Sequence, residues 1–396
     1  MGALGLKAAA CAVAAVVATV LGGCRHRCPP SASGPLHRPP PLGRRLLVVA
    51  PHPDDEVLAA GGLMARILRQ PGTVHVVVAT DGEAGVNRTR APDLGDARRG
   101  ETRRALADLG LAPADVEFLG YANNSLANAW GKRWRAARRG ADETSSGALV
   151  EALRGALRAA APDTIVLPMS LDEHVDHYAL GRFALLALLG EAPVPRPTVL
   201  GYLVHGKGRW PACGSIGLRS VPPLPPGCAA LFPWTGLPVD RTFKAGLIRE
   251  YRTQLGATLL RHARAIESFA EGLVVEPGRP AAAWRPGVRP GADRIAILVP
   301  RTPCLVDPAA GDRLRLRYFR DGVLDERLVT LAPAVDVRGG PPGGELVPAR
   351  DVQVAVRRDT VHVVLDMASF RDVGGAVLEV VAGERREAPA WLLRWS

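Results

Sequence analysis

From about Leu46 the chain alternates short, nearly unbroken runs of Val, Leu and Ile with stretches patterned as helices, and this alternation most constrains its fold. Candidate strands lie at 46–50, 73–80, 116–121, 164–168 and 198–205, with amphipathic segments near 57–69, 95–109, 146–160 and 177–189 between them. Strands apolar on both faces, separated by helices, predict a Rossmann-like, mostly parallel α/β sheet with helices on both faces. Residues 240–270 contain no proline and read as more helix, whereas 206–238 is dense in Pro and Gly and reads as a rim or lid loop. The pattern changes after Gly278. Residues 276–294, rich in Pro, Gly and Arg, read as a linker. Beyond it, segments such as RIAILVP, RLRLRYF and TVHVVLDM predict about seven strands and a C-terminal all-β, sandwich-like domain over 295–396.

The N-terminus has a different character. Residues 8–23 are uniformly small or apolar and follow Lys7, the pattern of a secretory signal peptide over residues 1–23. Leu21-Gly22-Gly23-Cys24 resembles a bacterial lipobox with Cys24 as the acylated residue; the other readings are an ordinary cleaved signal and an uncleaved anchor. Residues 24–44, dense in Pro and Ser, read as a tether. The expectation is an exported, membrane-anchored lipoprotein on the periplasmic or cell-surface side. In that setting Cys213 and Cys228 either pair across their Pro/Gly-rich loop or remain two thiols, and Cys28 and Cys304 have no obvious partner. The formal charge of +11 is almost entirely arginine, and with 5% aromatics and no basic-aromatic stripe a nucleic-acid reader is excluded. The basic run 132–139 is expected to be a solvated loop, His75 a packing residue and His262 an exposed helix residue.

Two polar clusters carry the chemistry. Strand 46–50 runs into Pro51-His52-Pro53-Asp54-Asp55-Glu56, and strand 164–168 runs into Met169-Ser170-Leu171-Asp172-Glu173-His174-Val175-Asp176-His177. The C-terminal ends of parallel strands share one edge, so the two clusters can meet in space although far apart in sequence. Three histidines and several carboxylates, with no lysine nearby, suit a divalent metal, and two imidazoles plus one carboxylate is a frequent catalytic zinc set. Taken singly, each cluster has a plainer reading: a surface His pair, or acids at a helix N-terminus.

With these residues the sequence resembles the LmbE/PIG-L family of zinc-dependent N-acetylglucosaminyl deacetylases. The (A/P)HPDDE motif stands at Pro51–Glu56 and the HxDH motif at His174–His177. Supporting matches include Thr80-Asp81-Gly82-Glu83-Ala84-Gly85, Arg98-x-x-Glu101, Lys244, Gln254 and Arg264-x-x-Glu267-x-Phe269. The resemblance implies a deacetylase domain over 45–275 that binds one Zn2+ per chain, or another divalent metal, through His52, Asp55 and His177. It also implies Asp54 as the general base acting on a metal-bound water, His174 as the group assisting the amide oxygen or leaving nitrogen, and Asp176 as the orienter of a histidine. Arg98 matches a sugar-contact position, with an ion pair to Glu101 as its other reading. There are two departures: Val175 replaces the motif's usual proline and leaves the polar positions intact, and Asn123 stands where the family often has an aspartate that reaches the sugar. His205 resembles a rim position, or else faces solvent at a strand end. The implied activity is hydrolysis of N-acetyl groups on N-acetylglucosamine-type sugars or glycoconjugates. The alternatives are a surface glycan-binding lipoprotein with a non-catalytic α/β scaffold, and a metal-dependent hydrolase of another amide or an ester.

Overall fold

A computed structural model describes residues 40–395 apart from 132, 191–195, 207–232, 265–266, 283–284, 303–304, 371 and 382–387. The expected signal peptide, nearly all of the tether, Cys24, Cys28, Cys213, Cys228, Cys304 and most of the expected lid loop lie outside the described residues.

The first half is built from β1 (Arg45–Ala50), α1 (Asp55–Arg69), β2 (Thr73–Thr80), α2 (Leu94–Leu109), β3 (Val116–Tyr121), α3 (Leu126–Trp130), β4 (Arg135–Arg138) and β5 (Ala141–Ser145). There follow α4 (Ser146–Ala160), β6 (Thr164–Pro168), α5 (Val175–Gly190), β7 (Thr198–Tyr202), β8 (Trp234–Leu237), α6 (Arg241–Ile248), α7 (Ala257–Ala263) and β9 (Glu267–Ala270). The strands form one sheet in the order β5-β4-β3-β2-β1-β6-β7-β9-β8. Its centre, β3-β2-β1-β6-β7, is parallel, and antiparallel strands close both edges. Side chains alternate across a strand, so the unbroken apolar runs fill two cores at once. Leu46, Val48 and Ala50 of β1 join α1, α2 and α6 on one face, while Leu47 and Val49 join α4 and α5 on the other. Burial of each Leu or Val contributes about 1.5–3 kcal/mol before entropy is counted.

Two expectations are corrected here. Residues 240–270 are not continuous helix: the chain makes α6 and α7 and then turns into β9, antiparallel to β8. Glu267 of β9 accepts the backbone N–H groups of Gly62 and Leu63 (2.6 and 2.8 Å) and lies 3.0 Å from Lys244, so a long-range partner for a buried carboxylate overrides local helix pattern. The basic run is likewise not a solvated loop. Arg135–Arg138 forms β4, and Arg139 meets Asp81, Asp93 and Asp96 at 2.5–2.7 Å.

The C-terminal region comprises β10 (Val274–Val275), β11 (Gly287–Pro290), β12 (Arg294–Pro300), β13 (Arg313–Arg320), β14 (Val323–Thr330), β15 (Asp336–Gly340), β16 (Val347–Pro348), β17 (Val352–Val356), β18 (Thr360–Asp366), β19 (Gly375–Val381) and β20 (Ala390–Arg394). They form a seven-stranded sheet, β10-β20-β19-β13-β14-β15-β16, and a four-stranded one, β11-β12-β18-β17. More strands form than the sequence pattern suggested, because short edge pieces join the sheets. The expected linker contributes one of them: β11 pairs with β12. Just before it, Val274 and Val275 pair with Leu392 and Leu393 of β20.

Helix α5 lies between the two regions. The expectation of an amphipathic helix near 177–189 is corrected here: VDHYALGRFALLALLG is apolar on nearly every side, and the helix is buried all round. It packs on α4 and β6 on one side and on β13, β19 and β20 on the other. Gly181 permits this: a Cβ there would stand 2.2 Å from the Pro168 carbonyl oxygen, so only glycine lets the helix come this close to β6.

Candidate active site

Both motif clusters sit where strand gives way to helix, at the C-terminal edge of the parallel sheet. The order of the parallel strands reverses between β1 and β6, which are neighbours, and such a switch point opens a crevice. The N-termini of α1 and α5 both face this crevice, and their unpaired N–H groups lower the cost of the acids Asp55, Glu56 and Asp176 in their first turns. The turn after β1 is pinned by Thr80, whose backbone N–H and hydroxyl both donate to the Pro51 carbonyl at 2.9 Å. Asp54 caps α1 with φ +118°, a conformation an L-residue rarely adopts and one that costs on the order of 1–3 kcal/mol. It sends the Asp54 and Asp55 side chains to different places. Asp54 lines the cavity, while Asp55 turns inward between two histidines.

Around Asp55 the arrangement is nearly symmetric. His52 Nδ1 lies 3.1 Å from Asp55 Oδ2, and its other ring nitrogen, Nε2, lies 3.0 Å from Asp176 Oδ2. His177 Nε2 lies 2.9 Å from the same Asp55 oxygen, and its Nδ1 lies 3.2 Å from Asp172 Oδ2. Each ring is therefore held from outside by a carboxylate and turned inward toward Asp55. The outer acids are themselves fixed. Asp176 accepts the backbone N–H groups of Asn124 (2.6 Å) and Leu126 (3.0 Å). Asp172 accepts those of His174, Val204 and His205 at 2.9–3.0 Å.

This donor set fits a divalent metal. Both nitrogens of the fully buried His177 lack an aligned hydrogen bond although carboxylate oxygens stand within 3.2 Å, so the inner nitrogen and the Asp55 oxygen converge without satisfying each other. Donors about 3 Å apart, each histidine backed by an acid, is the pattern of imidazole and carboxylate ligands to one ion. His174 also brings a ring nitrogen within 4.8 Å of those of His52 and His177. Its Nδ1, however, already accepts the Asp176 backbone N–H at 3.2 Å, which leaves its proton on Nε2.

Electrostatics separates the roles further. Burial pushes the Asp54 carboxyl well up, reinforced by Asp55 and Glu56 and opposed by Arg98 and His52. Burial also lifts Glu56 to about 7, even though Tyr251 donates a hydrogen bond to it. Burial, then the neighbouring His52 and His177, push His174 down to about 4, so it is a neutral donor near pH 7.

A cavity of about 490 Å³ opens over this centre, lined by His52, Asp54, Asp55, Arg98, Asn123, His174 and His205 among others. Asp176 and His177 lie directly behind its wall, fully buried. The structure thus brings every sequence-predicted site residue to one place except Cys24, which is outside the described residues. Arg98 is buried, donates to the Val86 carbonyl at 3.0 Å and packs against Gly82 and Gly85, where Cβ atoms would stand 2.3 and 2.5 Å from its guanidinium. It makes no hydrogen bond to Glu101, whose carboxylate instead accepts the backbone N–H and hydroxyl of Thr253 at 2.7 and 2.6 Å. Asn123 donates its backbone N–H to Glu83 at 2.9 Å, and its buried side-chain oxygen has no partner. His205 is held by Asp172, Nδ1 to Oδ1 at 3.1 Å, with its ring partly exposed to the cavity.

Two contributors were not legible in advance. Asp172 was only one acid of a rich motif, and the position of its partner His205 depends on β7. His262, expected to be exposed, lines the cavity because α7 folds back over the site.

Comparison with known proteins places the same stretch. Residues 47–188 match the family model described as PIG-L: GlcNAc-PI de-N-acetylase. A 1D-myo-inositol 2-acetamido-2-deoxy-alpha-D-glucopyranoside deacetylase of Tsukamurella paurometabola is 33% identical over 156 residues, 35% of this chain and 52% of that protein. A 2'-N-acetylparomamine deacetylase of Streptomyces fradiae is 32% identical over 137 residues, 34% of this chain and 48% of that protein. The chain thus spans about half the length of the curated relatives it matches. Among solved structures, the N,N'-diacetylchitobiose deacetylase of Pyrococcus horikoshii aligns with TM-score 0.39 and 17% identity, covering 57% of this chain and 82% of that one. A conserved protein of Thermus thermophilus aligns with TM-score 0.40 and 22% identity, covering 60% of this chain and 96% of that one. Motifs and family match fall on the same segment: residues 47–188 carry the match to the PIG-L (LmbE-type) family.

Proposed function

We propose that the protein is a zinc-dependent hydrolase that removes N-acetyl groups from N-acetylglucosamine-type sugars or glycoconjugates. The observation that carries this is the pair of buried histidines, His52 and His177, each fixed from outside by an acid and turned toward Asp55, with Asp54 beside them on an open cavity. The names of the relatives, deacetylases of acetamido sugars, support the substrate class. His52, Asp55 and His177 would hold the metal. When bound, zinc supplies a Lewis acid that polarises a carbonyl and makes water easier to deprotonate near neutral pH.

The chain's own residues do the rest. Asp54, whose raised proton affinity suits a base working near neutrality, takes a proton from the attacking water. His174 directs its neutral Nε2–H at the amide oxygen or the leaving nitrogen. Asp176 and Asp172 keep the His52 and His177 rings in place. Arg98, Asn123 and His205 line the wall that meets the sugar. The C–N bond breaks, acetate leaves, and the freed amine keeps the transferred proton.

Acetate release from a panel of N-acetylated sugars and glycans tests this reading. Release should vanish under chelation, return with zinc and be lost in Asp54→Asn. Activity that survives chelation, or that is of wild-type size in Asp54→Asn, overturns the mechanism. Zinc bound at one per chain without any acetate release overturns the bond assignment.

Export and lipid anchoring through Cys24 belong to the same proposal and rest on the N-terminal motif alone. Metabolic labelling with a fatty acid should mark the protein in a bacterial host and fail in Cys24→Ala. Equal labelling of both forms would remove the anchor.

A further inference from the structure

We infer that Glu379, on β19 of the C-terminal sheet, is a positioning residue for the active site: through Arg182 it sets α5, which carries Asp176 and His177, and through Trp130 it sets α3, whose leading turn holds Asp176. The inference rests on the proposed metal site and gives the C-terminal region a part in building it.

Past its first turn, the otherwise apolar α5 carries one charge, Arg182, and that side chain is completely buried. Its Nε donates to Glu379 Oε2 at 2.6 Å, its Nη2 donates to the Ala388 carbonyl at 2.6 Å, and its Nη1 donates to the Tyr178 carbonyl at 2.8 Å. Two of these three acceptors belong to the C-terminal region, and the third lies one residue beyond His177. The same Glu379 oxygen accepts Trp130 Nε1–H at 2.8 Å. Trp130 ends α3, the short helix whose leading turn supplies the Asn124 and Leu126 N–H groups to Asp176. Asp176 in turn holds His52.

A second tie runs alongside. The backbone N–H of Ala390 donates to Ser170 Oγ at 3.0 Å, two residues before Asp172, the acid that faces His177. Arg317 closes the cluster by donating to the Trp130 carbonyl at 2.7 Å while Glu326 accepts its Nε–H at 2.8 Å. Both outer carboxylates of the metal site are thus connected, by hydrogen bonds and one buried carboxylate, to β19 and β20.

A separable module would have no reason to bury charge against the catalytic helix. Buried ion pairs add little net stability over an apolar seam, but they fix relative position strongly. Metal sites need that, since their ligands must be held to about half an ångström, and loss of a supporting group costs about 10–100-fold in affinity.

The test uses the full chain and three variants: Glu379→Gln, Trp130→Phe, and Asp351→Asn as a control. Asp351 pairs with Arg327 at 2.6 Å elsewhere on the C-terminal sheets and hydrogen-bonds neither α3 nor α5 among the described residues. Zinc affinity is read by competition with a chelator, and amide hydrogen exchange is followed over 123–127 and 169–178. Glu379→Gln should weaken zinc about tenfold and speed exchange in both segments. Trp130→Phe should speed exchange at 123–127 and weaken zinc less, while Asp351→Asn should lower Tm yet leave zinc affinity and local exchange unchanged. If Glu379→Gln and Trp130→Phe match Asp351→Asn in both readouts, the inference is overturned. Should Glu379→Gln fail to fold, Trp130→Phe decides. Absence of zinc binding by the wild type would fault the functional proposal, and the exchange data alone would then decide the positioning role.

Discussion

Two buried charge clusters, about one helix apart, obey opposite rules. At the seam between α5 and the C-terminal sheet, acids meet guanidinium groups: Glu379 lies 2.6 Å from Arg182 and 2.7 Å from Arg315, and Glu326 lies 2.8 Å from Arg317. Burial alone would raise the Glu379 carboxyl, but Arg315, Arg182 and Arg317 hold it down at about 2. At the sheet edge, carboxylates crowd one another and share imidazoles. There the Asp54 carboxyl is pushed up, His174 is pushed down to about 4, and His177 has no aligned partner. A cluster of paired opposite charges acts as a joint. One of crowded acids and an unaligned histidine beside a cavity is, in the proposed reading, completed from outside by a cation and a substrate.

The difference can be broken experimentally, and the largest effect should come from the unsatisfied cluster. His177→Ala should abolish zinc binding and lower kcat/KM about ten-thousand-fold, or ~5.5 kcal/mol. The metal-free variant should nevertheless lose less stability relative to metal-free wild type than a seam variant does, because the ring makes no aligned hydrogen bond. A large drop in apo stability would make that cluster structural too.

The seam should respond the other way. Arg182→Met leaves Glu379 short of a partner and should cost ~3–5 kcal/mol of unfolding free energy, as removal of one member of a buried pair generally does. Urea titration reads this directly, and a loss below ~1 kcal/mol would mean that the seam is not a joint.

Acid sharpens the same contrast. The ordinary value for glutamate is 4.5 and the folded value for Glu379 is about 2. Its contribution is therefore complete above pH 4.5 and is lost as pH falls from 4.5 toward 2. The loss amounts to ~3 kcal/mol at most, given about 1.4 kcal/mol per pH unit. Glu379→Gln should start less stable and show a shallower decline of Tm over that interval; parallel curves would remove Glu379 as the titrating group.

The smallest effect belongs to the cavity wall. Asn123→Ala should raise KM several-fold, about 1 kcal/mol, with kcat nearly unchanged, because it removes one hydrogen-bonding group from the wall and leaves the ligands alone. A fall in kcat with KM unchanged would place Asn123 in the chemistry.

Legibility followed the range of the interactions. The runs at 46–50, 73–80, 116–121 and 164–168 became strands at or within one residue of those positions because a central parallel strand needs apolar side chains on both faces. The polar clusters stood out because they interrupt such strands at their C-terminal ends. β9 was not legible, since Glu267 finds Lys244 and the α1 backbone only after folding. Neither was the inward placement of His262, which depends on how α7 lies over the cavity. Arg182 is the instructive middle case. One arginine in the uniformly apolar α5 announces a buried partner, and nothing local says that it is Glu379, 197 residues away.

By itself the amino-acid order determined the alternation of strand and helix and the delivery of two acid-histidine clusters to one sheet edge. These follow from local periodicity and from the shared polarity of parallel strands. Only the tertiary structure decided which acid backs which histidine, that Glu101 hydrogen-bonds Thr253 rather than Arg98, and that the C-terminal sheet reaches the elements of the site. Such pairings depend on distances across the fold, where a shift of an ångström makes or breaks a hydrogen bond.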